Sequence, residues 1–564
     1  MLVLSYLQSI RKTIMRLFRF LTFLLLFLVL AAPAWADALP SADDVKKSLT
    51  AETITVDNYN LDKNDLAAFY AARDFKPVWN FAGPENAAAL NAFLDSIAKA
   101  IGWHGLARED YALDGMRKLA ALSDENSRLQ LELLVTDTLL RLAHDLHGDD
   151  LDLDELYPGW NFHRTDADIP GGLAQALANN DINAFIDGIA PKNPAYGQLA
   201  QGLQHYGAMA GWSSIEPGPI LRPQDRGARV AQLRARLAAE DYIAAAPPAG
   251  KKAEFFDNEL RKALADYQAH NGLEADGHLG PKTLEALNVP LAARIDQIRA
   301  NMERWRHMPE DFPPARAVIV NIPDATIAIT EDGKPVYDGP VIVGQVERKT
   351  PFIQSVIHSM IINPVWHVPE KIARADILPK LREDPHYLEK QRITIRGNDY
   401  DPHGRYIDWQ SMSDEDFNFH LRQEPGKMNS LGRLKFDFDN NFAVYLHGTP
   451  HQELFRKNER ALSSGCVRLR DPELVAQILL KDTSGDWNST HIEEEIAAKK
   501  THWIEIKNPL PLFIVYDSVF AGTDGRLGFR PDIYGYDRFL IENLKSALEA
   551  AEPKQKSEID PQAL

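Results

Sequence analysis

The chain of 564 residues has a single cysteine, Cys466, and a histidine, His447, stands shortly before it. They lie in Tyr445-Leu-His-Gly-Thr-Pro450 and Leu462-Ser-Ser-Gly-Cys-Val-Arg-Leu469. A thiol is a strong nucleophile as its thiolate, and a neighbouring imidazole can take its proton. Ser463, Ser464 and Gly465 are small and leave room for a carbonyl. The consecutive N–H groups of Gly465 and Cys466, with Ser464 beside them, are candidates to hold a developing oxyanion. Gly448 has no side chain, so its carbonyl can approach the imidazole and orient it. Arg468 is placed to meet a substrate carboxylate. The plain alternative is a buried structural cysteine; the Ser-Ser-Gly and His-Gly-Thr flanks favour a nucleophile. A zinc site is a poor fit, because one thiolate with scattered histidines lacks paired ligand spacing. His358, His367 and His403 form no H-E-x-x-H or H-x-H cluster, and no metal is expected.

The elements around the pair can be read from their patterning. Residues 444–446 are apolar or aromatic and read as the end of a strand, and Pro472 opens a helical pattern that runs to Leu480. Residues 451–461 are polar and charged and read as a surface excursion. His447 then sits at a strand end and Cys466 on a small-residue turn. From Ala317 the period is two: residues 318–322, 326–329, 341–343 and 356–362 read as strands, with turns at Asp332-Gly333 and Asp338-Gly339. Residues 503–506 and 512–516 resume strands, with a hairpin at Asp524-Gly525.

The cysteine stretch resembles the L,D-transpeptidase catalytic domain, whose signature is His-Gly, a spacer, then Ser-His or Ser-Ser, Gly-Cys, an apolar residue and Arg or Asn. Ser464 stands where many members carry histidine, as in the large multidomain periplasmic branch of the family. The resemblance implies a multidomain α+β fold: a helical scaffold and a small helical peptidoglycan-binding module, then a mainly-β catalytic domain with a helical and irregular cap. It implies Cys466 as nucleophile, His447 as general base and then acid, and the Gly448 carbonyl as its orienting partner. Gly465, Cys466 and Ser464 would serve the oxyanion, and Arg468, Tyr445 and Trp366 the substrate. The implied reaction releases D-alanine from a tetrapeptide donor and joins a diaminopimelate amine in a 3→3 crosslink between peptidoglycan stem peptides. No cofactor is needed, because one amide is exchanged for another, and carbapenems would acylate Cys466. The alternatives are an L,D-carboxypeptidase, attachment of a lipoprotein to the wall, or a non-catalytic wall-binding scaffold. Other cell-wall synthases are possible partners under this resemblance.

Net charge is −18, which argues against nucleic acid as a partner. Arg11, Lys12, Arg16 and Arg19 precede the apolar residues 20–32, and Ala34-Trp-Ala36 offers a cleavage site. This predicts a signal peptide over 1–36 and export to the periplasm. The apolar run is short of the ~20 residues of a membrane span, and an uncleaved signal would attach the protein to the inner membrane. In an exported protein a lone thiol has no internal disulfide partner.

The chain then divides as a helical scaffold over 37–215, the binding-like module over 216–290, a linker helix over 291–315, and the catalytic domain over 316–540 with its cap at about 371–427. A tail of 541–564 follows, and the ordered part is expected to end at residues 531–534. The scaffold match rests on Phe69-Tyr70, Arg73, Pro77-Val-Trp79 and the run 133–143, where residues 129–146 read as an amphipathic helix. The acidic residues 145–155 read as a solvated turn. The module match rests on Gly227, Leu233, Leu237, Tyr267-Gln268, Asn271-Gly-Leu273 and Asp276-Gly-His-Leu-Gly280. Structural leucines and glycines explain that motif equally well, so a spacer without glycan binding is the other reading.

Overall fold

A computed structural model describes residues 39–81, 86–122, 124–149, 151–244, 252–522 and 524–551. The expected signal peptide over 1–36, the insertion residues 245–251 and the tail from 552 lie outside the described residues. Four hydrophobic cores organise the rest.

The first belongs to the scaffold, built around the helix Glu125–His147. Asp124 caps it, accepting from the Ser127 N–H at 2.9 Å. The sequence suggests an amphipathic helix here, yet residues 131–140 are buried without a break. A helix surrounded on all sides needs no polar face, and its polar residues need internal partners instead. Glu132 accepts from the N–H groups of Val78 and Trp79 at 2.7 and 2.8 Å and from the Tyr70 hydroxyl at 2.9 Å. That carboxylate fastens the Pro77-Val-Trp79 segment. The acidic residues 145–155 are not wholly a solvated turn: Asp145 lies in the last turn of this helix, is buried and accepts from the Tyr111 hydroxyl.

Helices Ala228–Ala239, Asn258–His270 and Pro281–Leu287 enclose the small core of Val230, Leu233, Leu237, Leu260, Leu264 and Leu287. The helix Leu291–Arg306 follows. Its apolar pattern suggests one buried face, but residues 300–308 are all buried. Arg304 donates to Asp537 at 2.5 Å, and Asn301 bonds the Ser518 hydroxyl at 2.8 Å. Asp537 belongs to the helix Tyr536–Ala551, whose Leu540 and Ile541 join the main core. The ordered chain therefore does not end at residue 534, and the tail reading of 541–564 fails at least to residue 551. The helical repeat was present there, but its apolar face only has meaning once helix Leu291–Arg306 lies beneath it.

The catalytic region has strands β1 (Ala317–Asn321), β2 (Thr326–Glu331), β3 (Lys334–Gly344), β4 (Ile353–Ile362), β5 (Leu434–Phe438), β6 (Leu446–His447), β7 (Ala461–Ser463), β8 (Val467–Leu469) and β9 (His502–Val515). Among the described residues they form one sheet in the order β7-β3-β8-β6-β5-β4-β9-β1-β2. β3 also pairs with β2, so the sheet closes on itself. Asp332-Gly333 is the β2–β3 turn, both at positive φ as a tight hairpin requires. Asp338-Gly339 is no turn. It lies within β3, paired with Ala328 and Ile327.

The cap is a separate small body with its own core of Leu378, Leu381, Leu388, Trp409 and Phe417. It contains short helices, as expected, and also a three-stranded antiparallel sheet of Trp366–His367, Leu421–Gln423 and Ile393–Ile395. The strands are two or three residues long, too short for a visible alternation. The fully buried Trp409 donates its indole N–H to the Gly404 carbonyl at 2.8 Å.

Candidate active site

Strands β6 and β8 run parallel, with Leu446 opposite Val467 and His447 opposite Arg468. Leu446, Val467 and Leu469 are fully buried in the main core. Because side chains alternate along a strand, Tyr445, His447, Cys466 and Arg468 share the opposite face. Lys435 on β5 stands opposite His447 and joins them. One sheet face thus collects a thiol, an imidazole, a phenol and two cations.

His447 is buried, with Nδ1 2.5 Å from the Gly448 carbonyl oxygen. A carbonyl only accepts, so that nitrogen carries the hydrogen and Nε2 keeps its lone pair. Burial, with the nearby Arg468 charge, holds the imidazole down to about 3, so it is neutral at ordinary pH. Burial pushes the Cys466 thiol up, while the Tyr445 backbone N–H and hydroxyl, Arg468 and Lys435 pull it back. The resting pair is therefore a thiol and a neutral base.

The corner behind His447 is glycine-dependent. Gly432 is at φ +66°, and a Cβ there would stand 2.6 Å from the Gly448 carbonyl carbon. Sequence reasoning did not single out Gly432; its cue exists only once β5 and β6 are side by side.

The turn carrying Cys466 is tied residue by residue. Ser463 Oγ donates to the Cys466 carbonyl at 2.5 Å and accepts from the Gly465 N–H at 3.1 Å. The Gln345 N–H donates to the Ser463 carbonyl at 2.9 Å. Arg348 donates to Ser464 Oγ at 2.8 Å, and Thr350 Oγ1 donates to the Gly465 carbonyl at 2.8 Å. Gly465 sits at φ +115°, which disfavours any side chain. Of the three oxyanion candidates, the Gly465 N–H is engaged by Ser463 Oγ, while Ser464 Oγ only accepts from Arg348 and keeps its own O–H beside the Cys466 N–H. Gly465 is a shaping residue here. Its N–H was assigned from adjacency alone, and adjacency does not show where an N–H points.

Arg468 Nε is buried without a hydrogen-bond partner among the described residues. A guanidinium left with an unused donor beside a thiol suits an incoming carboxylate. The Tyr445 hydroxyl lies near Cys466 on one side and near the Trp366 side chain on the other. Trp366 is the first cap residue of the cap sheet, so it sits at the seam between cap and site. Lys435 Nζ lies 4.4 Å from the Tyr445 ring centroid and 2.6 Å from Asp437. The other histidines do not converge. His358 faces Asp439 at 3.5 Å, and His403 bonds the Ile393 carbonyl at 2.9 Å. Among the described residues no group of three or more His, Cys, Asp or Glu is arranged to hold a metal ion.

A thiol and an oriented neutral imidazole thus lie on one face of adjacent strands, beside the cap. Residues 315–486 match the family of the L,D-transpeptidase catalytic domain, residues 64–203 the scaffold domain family, and residues 226–287 the family described as "Putative peptidoglycan binding domain". Residues 315–486 are thus similar to an L,D-transpeptidase catalytic domain, and the helical residues before them to a scaffold domain and a peptidoglycan-binding module. A protein of Haemophilus influenzae named "Putative L,D-transpeptidase" is 35% identical over 274 residues, which cover 47% of this chain and 54% of that protein. The chain thus spans about half the length of the curated relative it matches. A crystal structure of an L,D-transpeptidase (residues 123–326) from Xylanimonas cellulosilytica is 14% identical, covering 53% of this chain and all of that one. Its TM-score is 0.17, too low to support a structural inference.

Proposed function

We propose that the protein is a cysteine-dependent L,D-transpeptidase that forms 3→3 crosslinks between peptidoglycan stem peptides. The observation that carries this is the oriented pair, His447 held through Nδ1 by the Gly448 carbonyl and sharing a sheet face with Cys466. In the first half, the Cys466 proton passes to His447 Nε2 as the sulfur attacks the carbonyl of the L-centre residue of a tetrapeptide donor. The Cys466 N–H meets the oxyanion. The C–N bond breaks, the imidazolium protonates the leaving D-alanine amine, and a thioester remains. In the second half, an acceptor side-chain amine attacks the thioester and gives its proton to His447. The new amide leaves, and the thiol is restored. One amide replaces another, so no cofactor or energy source enters.

Arg468, with its unused Nε, receives the carboxylate of the donor stem. Tyr445 and Trp366 border the thiol and close the site toward the cap. The cap keeps water from the thioester until an amine arrives. The acidic chain acts outside the cytoplasm, in the periplasm, with residues 1–36 as its export signal. Among the described residues no helix is long and apolar enough to cross a membrane. Carbapenems acylate Cys466 by the same first half-reaction.

The test is mass spectrometry of mature protein with disaccharide-tetrapeptide, beside Cys466→Ala. Crosslinked dimer and free D-alanine, absent with the variant, are expected. Tripeptide without dimer would make the protein an L,D-carboxypeptidase. No turnover by either protein would overturn the catalytic reading in favour of a wall-binding scaffold.

A further inference from the structure

Residues 345–350, between β3 and β4, touch both the cap and the turn that presents Cys466. On the turn side, three successive residues are held: the Ser463 carbonyl by the Gln345 N–H, Ser464 Oγ by Arg348, and the Gly465 carbonyl by Thr350 Oγ1. The loop itself is anchored. Thr350 is fully buried, accepts from the Gly344 N–H at 2.8 Å, and donates its own N–H to the Tyr534 hydroxyl at 3.1 Å. On the cap side, the same Arg348 guanidinium grips Asp376 with both ends, Nη1 to Oδ2 at 2.5 Å and Nη2 to Oδ1 at 2.7 Å. Asp376 lies in the π-helical turn Ala373–Ile377, whose Ala373 and Ile377 are buried in the cap core. A turn of that width is a feature that recurs at functional sites.

We propose that Arg348 is a positioning residue that joins the cap, through Asp376, to the Cys466 turn, through Ser464, so that cap closure and alignment of the thiol are one event. This rests on the acyl-transfer reading above. The geometry asks for arginine. Nη1 serves Asp376 and Ser464 together while Nη2 completes the bidentate pair, and a lysine ammonium has no planar fork to do both. Stability is a weak explanation for the contact. The Asp376 carboxylate is 34% exposed, and half-exposed ion pairs contribute little to folding. Its position at the meeting of two bodies is what distinguishes it. The proposal also gives Ser464 a place: its hydroxyl oxygen, accepting from Arg348, is the turn's end of the tie.

The lone thiol makes the test clean, because alkylation by iodoacetamide adds mass at one site and needs no substrate. The full mature protein is compared with D376N, R348K, S464A and the conservative variant D376E. Hydrogen–deuterium exchange is followed in residues 370–383 and 461–469, and alkylation and crosslinking rates are followed against pH. Loss of the tie is expected to raise exchange in both segments for D376N and R348K and to shift their alkylation profiles from that of the wild type. Crosslinking should fall about tenfold, the scale of one charge-assisted pair, with kcat affected more than KM, and D376E, which keeps the carboxylate, should retain most of it. S464A should free the turn and leave the cap's Asp376 pair in place. Exchange rising in the cap alone with crosslinking unchanged, or D376E behaving as D376N, would overturn the proposal. If exchange and alkylation follow the expected pattern while no protein, wild type included, forms crosslinks, the tie stands and the transpeptidase reading falls.

Discussion

His447 and Cys466 begin as neutral partners, which gives the pair its pH behaviour. The imidazole is held down to about 3, so it remains a base well below the usual histidine range. The thiol is pushed up from its ordinary value, so free thiolate is scarce at neutral pH. The profile of kcat/KM for the acylation step should therefore show no inflection near 6.5, where an exposed histidine titrates. Alkylation of free Cys466 should still be climbing above pH 9. Stopped-flow acylation and alkylation series measure both, and an acid limb centred at 6.5 would contradict the neutral-base assignment. Arg468→Lys keeps the charge and loses the fork, so donor KM should rise by about tenfold or more with a smaller change in kcat. A donor lacking the carboxylate should erase that difference between wild type and variant.

Between residues and domains, the site depends on how short elements abut. β6 is two residues long and β8 three, yet their parallel pairing puts four functional side chains on one face. The corner after His447 has room only because Gly432 lets the turn before β5 pass close to the Gly448 backbone. Gly432→Ala should cost about 1–3 kcal/mol, since it adds strain at positive φ to a collision with backbone. Activity should fall further than stability, because the displaced atoms are those that orient His447. Thermal melts beside crosslinking rates separate the two; equal losses in both would remove the orienting role of that corner.

Over the whole molecule, helix Leu291–Arg306 joins the helical units to the catalytic sheet. Its Arg304 and Asp537 form a buried pair whose removal strands one charge. Asp537→Ala should destabilise by about 3–5 kcal/mol, and calorimetry should show the loss in a transition shared by scaffold and catalytic domain. Two imidazoles, the partly buried His104 and the buried His447, are held down to about 3, chiefly by desolvation. Their depressed values mean that the unfolded chain takes up protons first. Stability is thus intact above the unfolded value near 6.5 and is lost as pH falls toward 3, by about 1.4 kcal/mol per pH unit for each histidine. His104→Gln should remove one of those slopes from a plot of unfolding free energy against pH; an unchanged slope would show that His104 is protonated in the fold.

The sequence by itself determined the chemistry. A single thiol, a His-Gly pair and a small-residue turn are local features, and their types limit what they can do. It also marked the helix–then–strand order, because the apolar period changes from 3.6 to two at Ala317. It misread elements whose surroundings are tertiary. Residues 131–140 of helix Glu125–His147 are buried on every side, Asp338-Gly339 passes through a strand, and residues 536–551 form a helix whose partner lies far back in the chain. The same limit applied within the site. Adjacency put Gly465 among the oxyanion donors, but its N–H belongs to Ser463. Arg348 and Thr350 carried no signal in the sequence, because each matters only through a contact made across strands or between the cap and the sheet. Hydrogen-bond direction, parallel register and the junction of cap and turn are properties of packed chains, and only the tertiary structure decided them.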